Sequence, residues 1–201
     1  YPSFRIIMAA VTALLITLAC YPALIRRLQI IKFGQEIRKD GPQAHLQKQG
    51  TPTMGGVLIL VASVVSCLLW ADLGHGAIWT LMFLFVGYGA IGFYDDYKKI
   101  KYHDPKGLPG RWKLIWQTVI ALIALGIYVA GFASIPFSTE LTLPFLAADR
   151  FSVELPISLY TIFALIVVIG TSNAVNVTDG LDGLAIGPVI LSAFVFLILA
   201  Y

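Results

Sequence analysis

Residues 77–94 read AIWTLMFLFVGYGAIGFY and contain no charged side chain. A helix needs an apolar run of about 20 residues to cross the hydrocarbon core of a bilayer. Within lipid such a run has to be helical, because every backbone N–H and C=O group must find a partner inside the segment. This stretch therefore predicts a transmembrane helix.

Similar apolar runs recur along the chain. Charged residues make up 12% of the sequence and hydrophobic residues 58%, whereas a soluble domain carries about 25% charged residues. We predict an all-α, polytopic integral membrane protein with five full transmembrane helices and the start of a sixth, in a single domain (1–201) that is truncated at its C-terminus. The predicted helices are Phe4–Ile25, Thr53–Ala71, Ala77–Tyr94, Trp112–Phe132 and Pro156–Val175, and the sixth begins near Leu184.

The basic residues indicate which way the loops face. Twelve of the 14 Lys and Arg residues fall within 26–48 and 98–113, which lie on the same side by helix parity. Because Lys and Arg are enriched in cytoplasmic loops, we predict an N-terminus outside and both basic segments, with loop 176–183, in the cytoplasm. The net charge of +3 is too small to indicate a nucleic-acid partner.

Two other segments have short-range patterns. On the predicted outer side, Leu141–Phe145 and Phe151–Leu155 are short and β-prone, and they predict a small extracytoplasmic hairpin between helices 4 and 5. The segment Leu28–Asp40 mixes apolar and basic residues. It fits an amphipathic helix in the membrane interface and a solvated basic loop equally well.

Asp95 and Asp96 are predicted to close the third helix. Acids at a membrane interface are often no more than a helix flank. Adjacent carboxylates repel, however, and so need a nearby cation, and the helix macrodipole disfavours negative charge at a C-terminus. Mg²⁺ prefers carboxylates combined with substrate phosphate oxygens. The pair is therefore either a simple flank or a site for Mg²⁺ or a general base.

A second polar group follows the fifth helix. Asn176, Asp179 and Asp182 recur every third residue, which places them on one helical face if the segment is helical. A lone Asp179 fits an N-cap of the sixth helix. The accompanying amides and glycines, including Gly180, favour instead a site where backbone and carboxylates contact a nucleotide or a metal.

Two basic motifs complete the set. In Lys48-Gln-Gly-Thr-Pro-Thr-Met-Gly-Gly, Lys48 and Thr53 supply donors for phosphate or uracil oxygens, although a loop with a small-residue helix contact fits as well. Arg111-Trp-Lys is typical of an interface anchor, and Lys113 can equally reach a lipid phosphate. All four motifs fall on the predicted cytoplasmic side, and this convergence favours phosphoryl transfer.

These strings resemble the phospho-N-acetylmuramoyl-pentapeptide transferase (MraY) family, within the polyprenyl-phosphate N-acetylhexosamine-1-phosphate transferases. The similarity covers nearly the whole chain and corresponds to the N-terminal portion of the family. The motifs that carry it are Phe33–Asp40 with Gly41-Pro, Thr51-Pro-Thr-Met-Gly-Gly, Gly92-Phe-Tyr-Asp-Asp-Tyr, Arg111-Trp-Lys and Asn173-Ala-Val-Asn-Val-Thr-Asp-Gly-Leu-Asp-Gly.

The resemblance implies a Mg²⁺-dependent phosphoglycosyl transferase. Such an enzyme moves phospho-MurNAc-pentapeptide from UDP to undecaprenyl phosphate and gives lipid I and UMP. This is the first membrane step of peptidoglycan synthesis, on which cell wall biogenesis, cell shape and cell division depend. The resemblance also implies a multi-pass protein of the bacterial inner membrane, with ten transmembrane helices in the full protein, and a homodimer.

The resemblance also implies roles by position, with Asp95 as the base toward the lipid phosphate and Asp95 and Asp96 as metal ligands. The family's main metal-binding aspartate and its histidine-rich loop lie beyond Tyr201, so these residues alone are expected to form an incomplete enzyme. The implied catalytic residues are Asp95, Asp96, Lys113, Asn176 and Asp179, and the implied substrate-binding residues are Lys48, Thr53, Gly180, Leu181 and Asp182.

Three other functions remain open at this level. A sister enzyme transfers GlcNAc-1-phosphate to the same lipid and shares the Asp-Asp and Asn-Asp-Asp elements. A transporter needs ionisable residues at mid-membrane depth or broken helices, and the acids here sit near helix ends. A non-catalytic membrane scaffold has no need of the acids for turnover, so substitution of Asp95 or Asp179 separates it from an enzyme.

Overall fold

A computed structural model describes residues 1–30, 54–102, 107–129, 138–142, 152–179 and 184–200. These ranges contain six helices and a two-stranded hairpin, and the predicted all-α membrane fold is confirmed. The elements are α1 (Pro2–Ile30), α2 (Gly56–Trp70), α3 (Gly76–Tyr102), α4 (Gly110–Ile127), β1 (Glu140–Thr142), β2 (Ser152–Glu154), α5 (Ile157–Thr178) and α6 (Ile186–Ala200).

The helices have apolar exteriors. Among the described residues, α1, α3, α4 and α5 are both long and apolar enough to cross a bilayer. Helices α2 and α6 are apolar but have 15 residues each, a rise of about 22 Å against a hydrocarbon core of about 30 Å. Large side chains such as Leu15 (60%) and Phe196 (71%) are exposed, as expected where lipid is the solvent.

Consecutive helices pack against one another from α1 to α5. The contacts depend on small residues, because dense packing between lipid-embedded helices requires their backbones to approach closely. A Cβ atom on Gly89 of α3 would lie 2.8 Å from Leu60 Cδ1 of α2, and one on Gly87 would lie 2.8 Å from Ile120 Cγ2 of α4. Ala124 of α4 is almost completely buried. Helix α3 is therefore held between α2 and α4 by its glycines.

Helix α3 is longer than predicted. It continues past Tyr94 to Tyr102, because Lys99 lies one turn beyond Asp95 and Asp96 and pairs with both. The two carboxylates are therefore inside the helix. The macrodipole acts only on the terminal turn, so the prediction that Asp95 and Asp96 occupy an unfavourable helix C-terminus is wrong.

Two further boundaries differ from the prediction. Helix α5 extends to Thr178, so Asn176 is in its last turn and not in the predicted loop. Helix α4 begins at Gly110, before the predicted Trp112, and its α-helical part runs to Ile127. The predicted end at Phe132 lies outside the described residues. For α5, hydropathy marks the apolar segment, while backbone hydrogen bonding continues the helix into its polar flank.

The predicted hairpin is confirmed. Strands β1 and β2 pair antiparallel, with Leu141 opposite Val153, although each strand has only three residues. The side of the membrane on which the hairpin lies stays a prediction. Of the segment Leu28–Asp40, Leu28 is a buried residue in the last turn of α1, and residues 31–40 lie outside the described ranges.

Candidate active site

Two cavities lie near one end of the bundle, the larger mainly between α2 and α3 and the smaller where α3, α4 and α5 meet. The larger, about 610 Å³, is lined by Asp95, Asp96, Lys113 and Asn176, and we call it the carboxylate cavity. The smaller, about 240 Å³, shares Lys113 and Asn176 and adds Asp179, and we call it the amide cavity. The other four predicted catalytic residues thus each line a cavity that Lys113 also lines.

Asp95 is buried, and both of its oxygens are engaged. Its Oδ1 accepts a hydrogen bond of 2.7 Å from the backbone N–H of Leu108, and its Oδ2 lies 2.6 Å from Lys99 Nζ. The first bond joins α3 to the turn that leads into α4. Asp95 therefore holds this turn in place as well as lining the carboxylate cavity.

Gly107 allows the turn to approach Asp95. Its φ is +62°, a left-handed conformation that costs other L-residues energy. A Cβ atom there would lie 2.5 Å from Asp95 Oδ1 and 2.7 Å from Lys99 Cε. The position therefore requires glycine for both its backbone conformation and its lack of a side chain.

Asp96 is more accessible than Asp95. Its side chain is 38% exposed, and its Oδ1 lies 3.1 Å from Lys99 Nζ. Its Oδ2 accepts no hydrogen bond from the part of the chain that the structure describes. Lys99 thus supplies the cation that two adjacent carboxylates require, and Asp96 keeps one oxygen available to a ligand.

Lys113 joins α4 to α5. It lies in the first turn of α4 and donates a hydrogen bond of 2.7 Å from Nζ to Asn176 Oδ1, in the last turn of α5. An ammonium group has three donors. Within the described ranges Nζ donates to no other acceptor, and the predicted reach of Lys113 toward a phosphate stays a prediction.

Asp179 caps the end of α5. Its backbone N–H donates to Val175 O at 3.0 Å, while α6 begins only at Ile186. The alternative that Asp179 is the N-cap of the sixth helix is therefore wrong. The predicted substrate-binding residues Lys48, Thr53, Gly180, Leu181 and Asp182 all lie outside the described residues.

The sequence interpretation missed a second polar layer beneath Lys113. Gln117 is 2% exposed, its Oε1 accepts a hydrogen bond of 2.8 Å from Asn173 Nδ2, and its backbone oxygen accepts one of 3.1 Å from Tyr88 Oη. Gln117 follows Lys113 by four residues and Asn173 precedes Asn176 by three. This spacing of one helical turn from a polar site residue is the pattern in the sequence by which Gln117 and Asn173 could have been found.

The carboxylates fit a hard cation only in part. Within the described ranges no three His, Cys, Asp or Glu side chains come together. Asp96 Oδ2 and the oxygens now shared with Lys99 supply anionic ligands of the kind that Mg²⁺ combines with substrate phosphates. The residues present suit a cation held jointly by protein and substrate, with Asp96 as the more accessible ligand.

Comparison with known families adds two matches. The family model described as Glycosyl transferase family 4 matches residues 78–201, which include every described site residue. The Phospho-N-acetylmuramoyl-pentapeptide-transferase signature 1 matches residues 48–60, from Lys48 through the first turn of α2. The two matches lie next to each other in the fold, because α2 and α3 both contribute to the carboxylate cavity.

Proposed function

The chain belongs to glycosyl transferase family 4, and from that premise we propose that it transfers phospho-MurNAc-pentapeptide from UDP to undecaprenyl phosphate, giving lipid I and UMP. Membership, together with the signature, makes it a phosphoglycosyl transferase of the MraY and GlcNAc-1-phosphate transferase type.

The signature at residues 48–60 is the observation that supports UDP-MurNAc-pentapeptide as the donor. The family model alone also fits the sister enzymes that use UDP-GlcNAc. The signature is specific to the pentapeptide branch and includes Lys48 and Thr53, which we propose contact the UDP part of the donor. We likewise propose Gly180, Leu181 and Asp182, which follow Asp179, as the residues around the uracil.

The charges of the described site support phosphoryl transfer between two anionic substrates. The acceptor phosphate has to approach the diphosphate of the donor, and this repulsion needs positive groups at the point of contact. Lys113 lines both cavities, and among the described residues its Nζ donates to Asn176 alone. We propose that it binds a phosphoryl oxygen, while Asn176 holds its ammonium group between the cavities.

The two aspartates take different parts in the proposal. For Asp95 to act as the base toward the lipid phosphate, one of its oxygens must turn a lone pair to the acceptor, and opening one of its two bonds would expose that oxygen. The bond to Lys99 is the one to a flexible side chain, whereas the bond to Leu108 N–H is part of the turn. Asp96 presents its oxygen without rearrangement, so we propose it as the first ligand for Mg²⁺. When bound, Mg²⁺ would neutralise charge on the diphosphate.

We further propose that the site faces the cytoplasm in a bacterial inner membrane and that the protein acts as a homodimer.

The topology is testable in a variant in which Cys20 and Cys67 are replaced by alanine. A membrane-impermeant maleimide applied to intact spheroplasts should label Ser138→Cys, beside β1, and should label Lys101→Cys, at the end of α3, only after permeabilisation. The reverse pattern would place the site outside.

A donor competition tests the reaction. Membranes containing the full-length protein are supplied with undecaprenyl phosphate and either UDP-MurNAc-pentapeptide or UDP-GlcNAc, and the lipid product and UMP are measured. We expect turnover of the pentapeptide donor and loss of turnover in an Asp179→Asn variant that inserts normally. Turnover of UDP-GlcNAc alone would overturn the choice of donor. Full activity of Asp179→Asn would show that Asp179 has no catalytic role.

A further inference from the structure

Gln117 forms part of the floor of the amide cavity. It lies on α4, one turn deeper in the bundle than Lys113, and it lines the cavity together with Tyr88 and Ser172. A glutamine that is 2% exposed in a membrane-spanning helix is costly unless its donors and acceptors find partners. The partners of its side chain therefore indicate what the cavity is built to hold.

The orientation of the Gln117 amide is determined by its neighbour on α5. Asn173 Nδ2 donates to the backbone oxygen of Ile169 at 2.8 Å as well as to Gln117 Oε1 at 2.8 Å. A backbone oxygen can only accept a hydrogen bond, so Asn173 must present its NH₂ group on this side. Gln117 must then present its oxygen to Asn173, which turns Gln117 Nε2 the other way.

Gln117 Nε2 has no acceptor within the residues that the structure describes. It donates none of the hydrogen bonds formed among the described residues. In that part of the chain, the fully buried side-chain nitrogen or oxygen atom without a partner is Ser66 Oγ. Nε2 of Gln117 is therefore not sealed in protein, and the open space beside its residue is the amide cavity.

The chemistry of the amide cavity matches a phosphoryl group. Lys113 provides a positive charge at one side and Gln117 a neutral NH₂ donor at the floor, so both groups donate to oxygen. The cavity volume of about 240 Å³ equals roughly eight water molecules, enough for a phosphoryl group with its neighbouring oxygens. Asp179 also lines the cavity and its negative charge opposes an anion, so we expect the phosphoryl group on the side of Lys113 and Gln117.

We propose that Gln117 is a substrate-binding residue whose Nε2 donates to a phosphoryl oxygen held by Lys113, with Asn173 as the residue that orients it. The inference rests on the proposed function and adds a contact to it. The phosphoryl oxygen comes either from the diphosphate of the nucleotide donor or from the polyprenyl phosphate. Both have the same chemistry, and kinetics with each substrate varied in turn separates them.

The key variant is Gln117→Glu. Its carboxylate still accepts the hydrogen bond from Asn173, so the α4–α5 contact remains, but it has no NH₂ group to donate. Gln117→Met removes donor and acceptor without adding charge. Thr118→Val is the matched control, because the Thr118 hydroxyl is exposed and donates only to Leu114 O of its own helix. Thermal unfolding in detergent checks the fold of all three.

In the full-length enzyme, Gln117→Glu and Gln117→Met should each lower kcat/KM by about 10- to 100-fold, the range for losing a hydrogen bond to a charged group. The fall in kcat/KM should appear when one of the two substrates is varied and not the other. The kcat/KM of Thr118→Val should stay within about twofold of that of the parent protein. Activity of Gln117→Glu equal to that of the control would reduce Gln117 to a packing residue and overturn the inference. A fall with both substrates in Gln117→Glu that Gln117→Met does not share would report only the added charge and would also overturn it.

The proposed function can fail separately. If the parent protein turns over neither nucleotide donor, inorganic pyrophosphate is used as the probe, and its affinity is measured by calorimetry. Weaker binding by Gln117→Met than by Thr118→Val would support the contact even then. Equal binding by the two variants would overturn it.

Discussion

Replacing Gly107 by alanine tests the turn on which the site is built. The residue has a φ of +62°, and an added Cβ would lie 2.5 Å from Asp95 Oδ1 and 2.7 Å from Lys99 Cε. Lys99 can move its flexible end. Asp95 cannot move away without losing the hydrogen bond from Leu108 N–H. We expect the substitution to displace Asp95 and to loosen the link between α3 and α4.

The magnitude follows from two costs. A left-handed conformation costs a residue with a Cβ about 1–2 kcal/mol. Breaking a hydrogen bond to a charged group costs about 1.5–3 kcal/mol, and Asp95 is buried enough for this range to apply. Gly107→Ala should therefore destabilise the protein by about 3 kcal/mol. Turnover should fall as well, because Asp95 and the start of α4 move together.

Gly110→Ala is the matched control, since Gly110 is the first residue of α4, directly after the same turn, and a Cβ there meets nothing within 4 Å. Unfolding in detergent should show a clear loss of stability for Gly107→Ala and a change within about 0.5 kcal/mol for Gly110→Ala. Transfer activity should follow the same order. Equal stability and activity of the two variants would refute the role assigned to the turn.

Three further predictions concern the site and the helix contacts. Asp96→Asn should lower turnover by about 10²-fold or more with little change in the unfolding temperature. Asp95→Asn should lower both the turnover and the unfolding temperature. An identical loss of stability in the two variants would contradict their different roles. Lys113→Gln keeps a donor for Asn176 but loses the charge, so kcat should fall by about 10²- to 10³-fold, as steady-state kinetics can measure. Gly89→Ala should destabilise the α2–α3 contact by about 1–3 kcal/mol. Gly126→Ala is the control and should not destabilise the protein in this way, because a Cβ there meets nothing within 4 Å. Equal unfolding temperatures of the two variants would argue against close packing at Gly89.

Most of the fold could be predicted from the sequence, because in lipid an apolar run has to be a helix. All six runs are helical, and the short β-prone segments pair as expected. The ends of the runs were less predictable. The apolar part of α3 stops near Tyr94, yet the helix continues, because Lys99 pairs with Asp95 and Asp96 one turn earlier. Hydropathy carries no information about such ion pairs.

The sequence predicted that some residues of the candidate site lie close together, but not which contacts they make. Helix parity was enough to expect Asp95, Lys113 and Asn176 at one end of the bundle. The packing of α3, α4 and α5 determines which oxygen of Asp95 accepts the hydrogen bond from the turn. It also determines which polar atoms of Gln117 find a partner. Those contacts join residues as far apart in sequence as Lys113 and Asn176, and a single sequence does not encode them in a local pattern.

The most direct test of the central claim is release of UMP from UDP-MurNAc-pentapeptide. Purified full-length protein is assayed with and without undecaprenyl phosphate, beside its Lys113→Gln and Asp96→Asn variants. We expect UMP and lipid I to appear together in the parent, only when the acceptor lipid is present, and to fall by at least about 10²-fold in both variants. Unchanged UMP release in the two variants, or no release by the parent, would contradict a phosphoryl-transfer site at the meeting point of α3, α4 and α5.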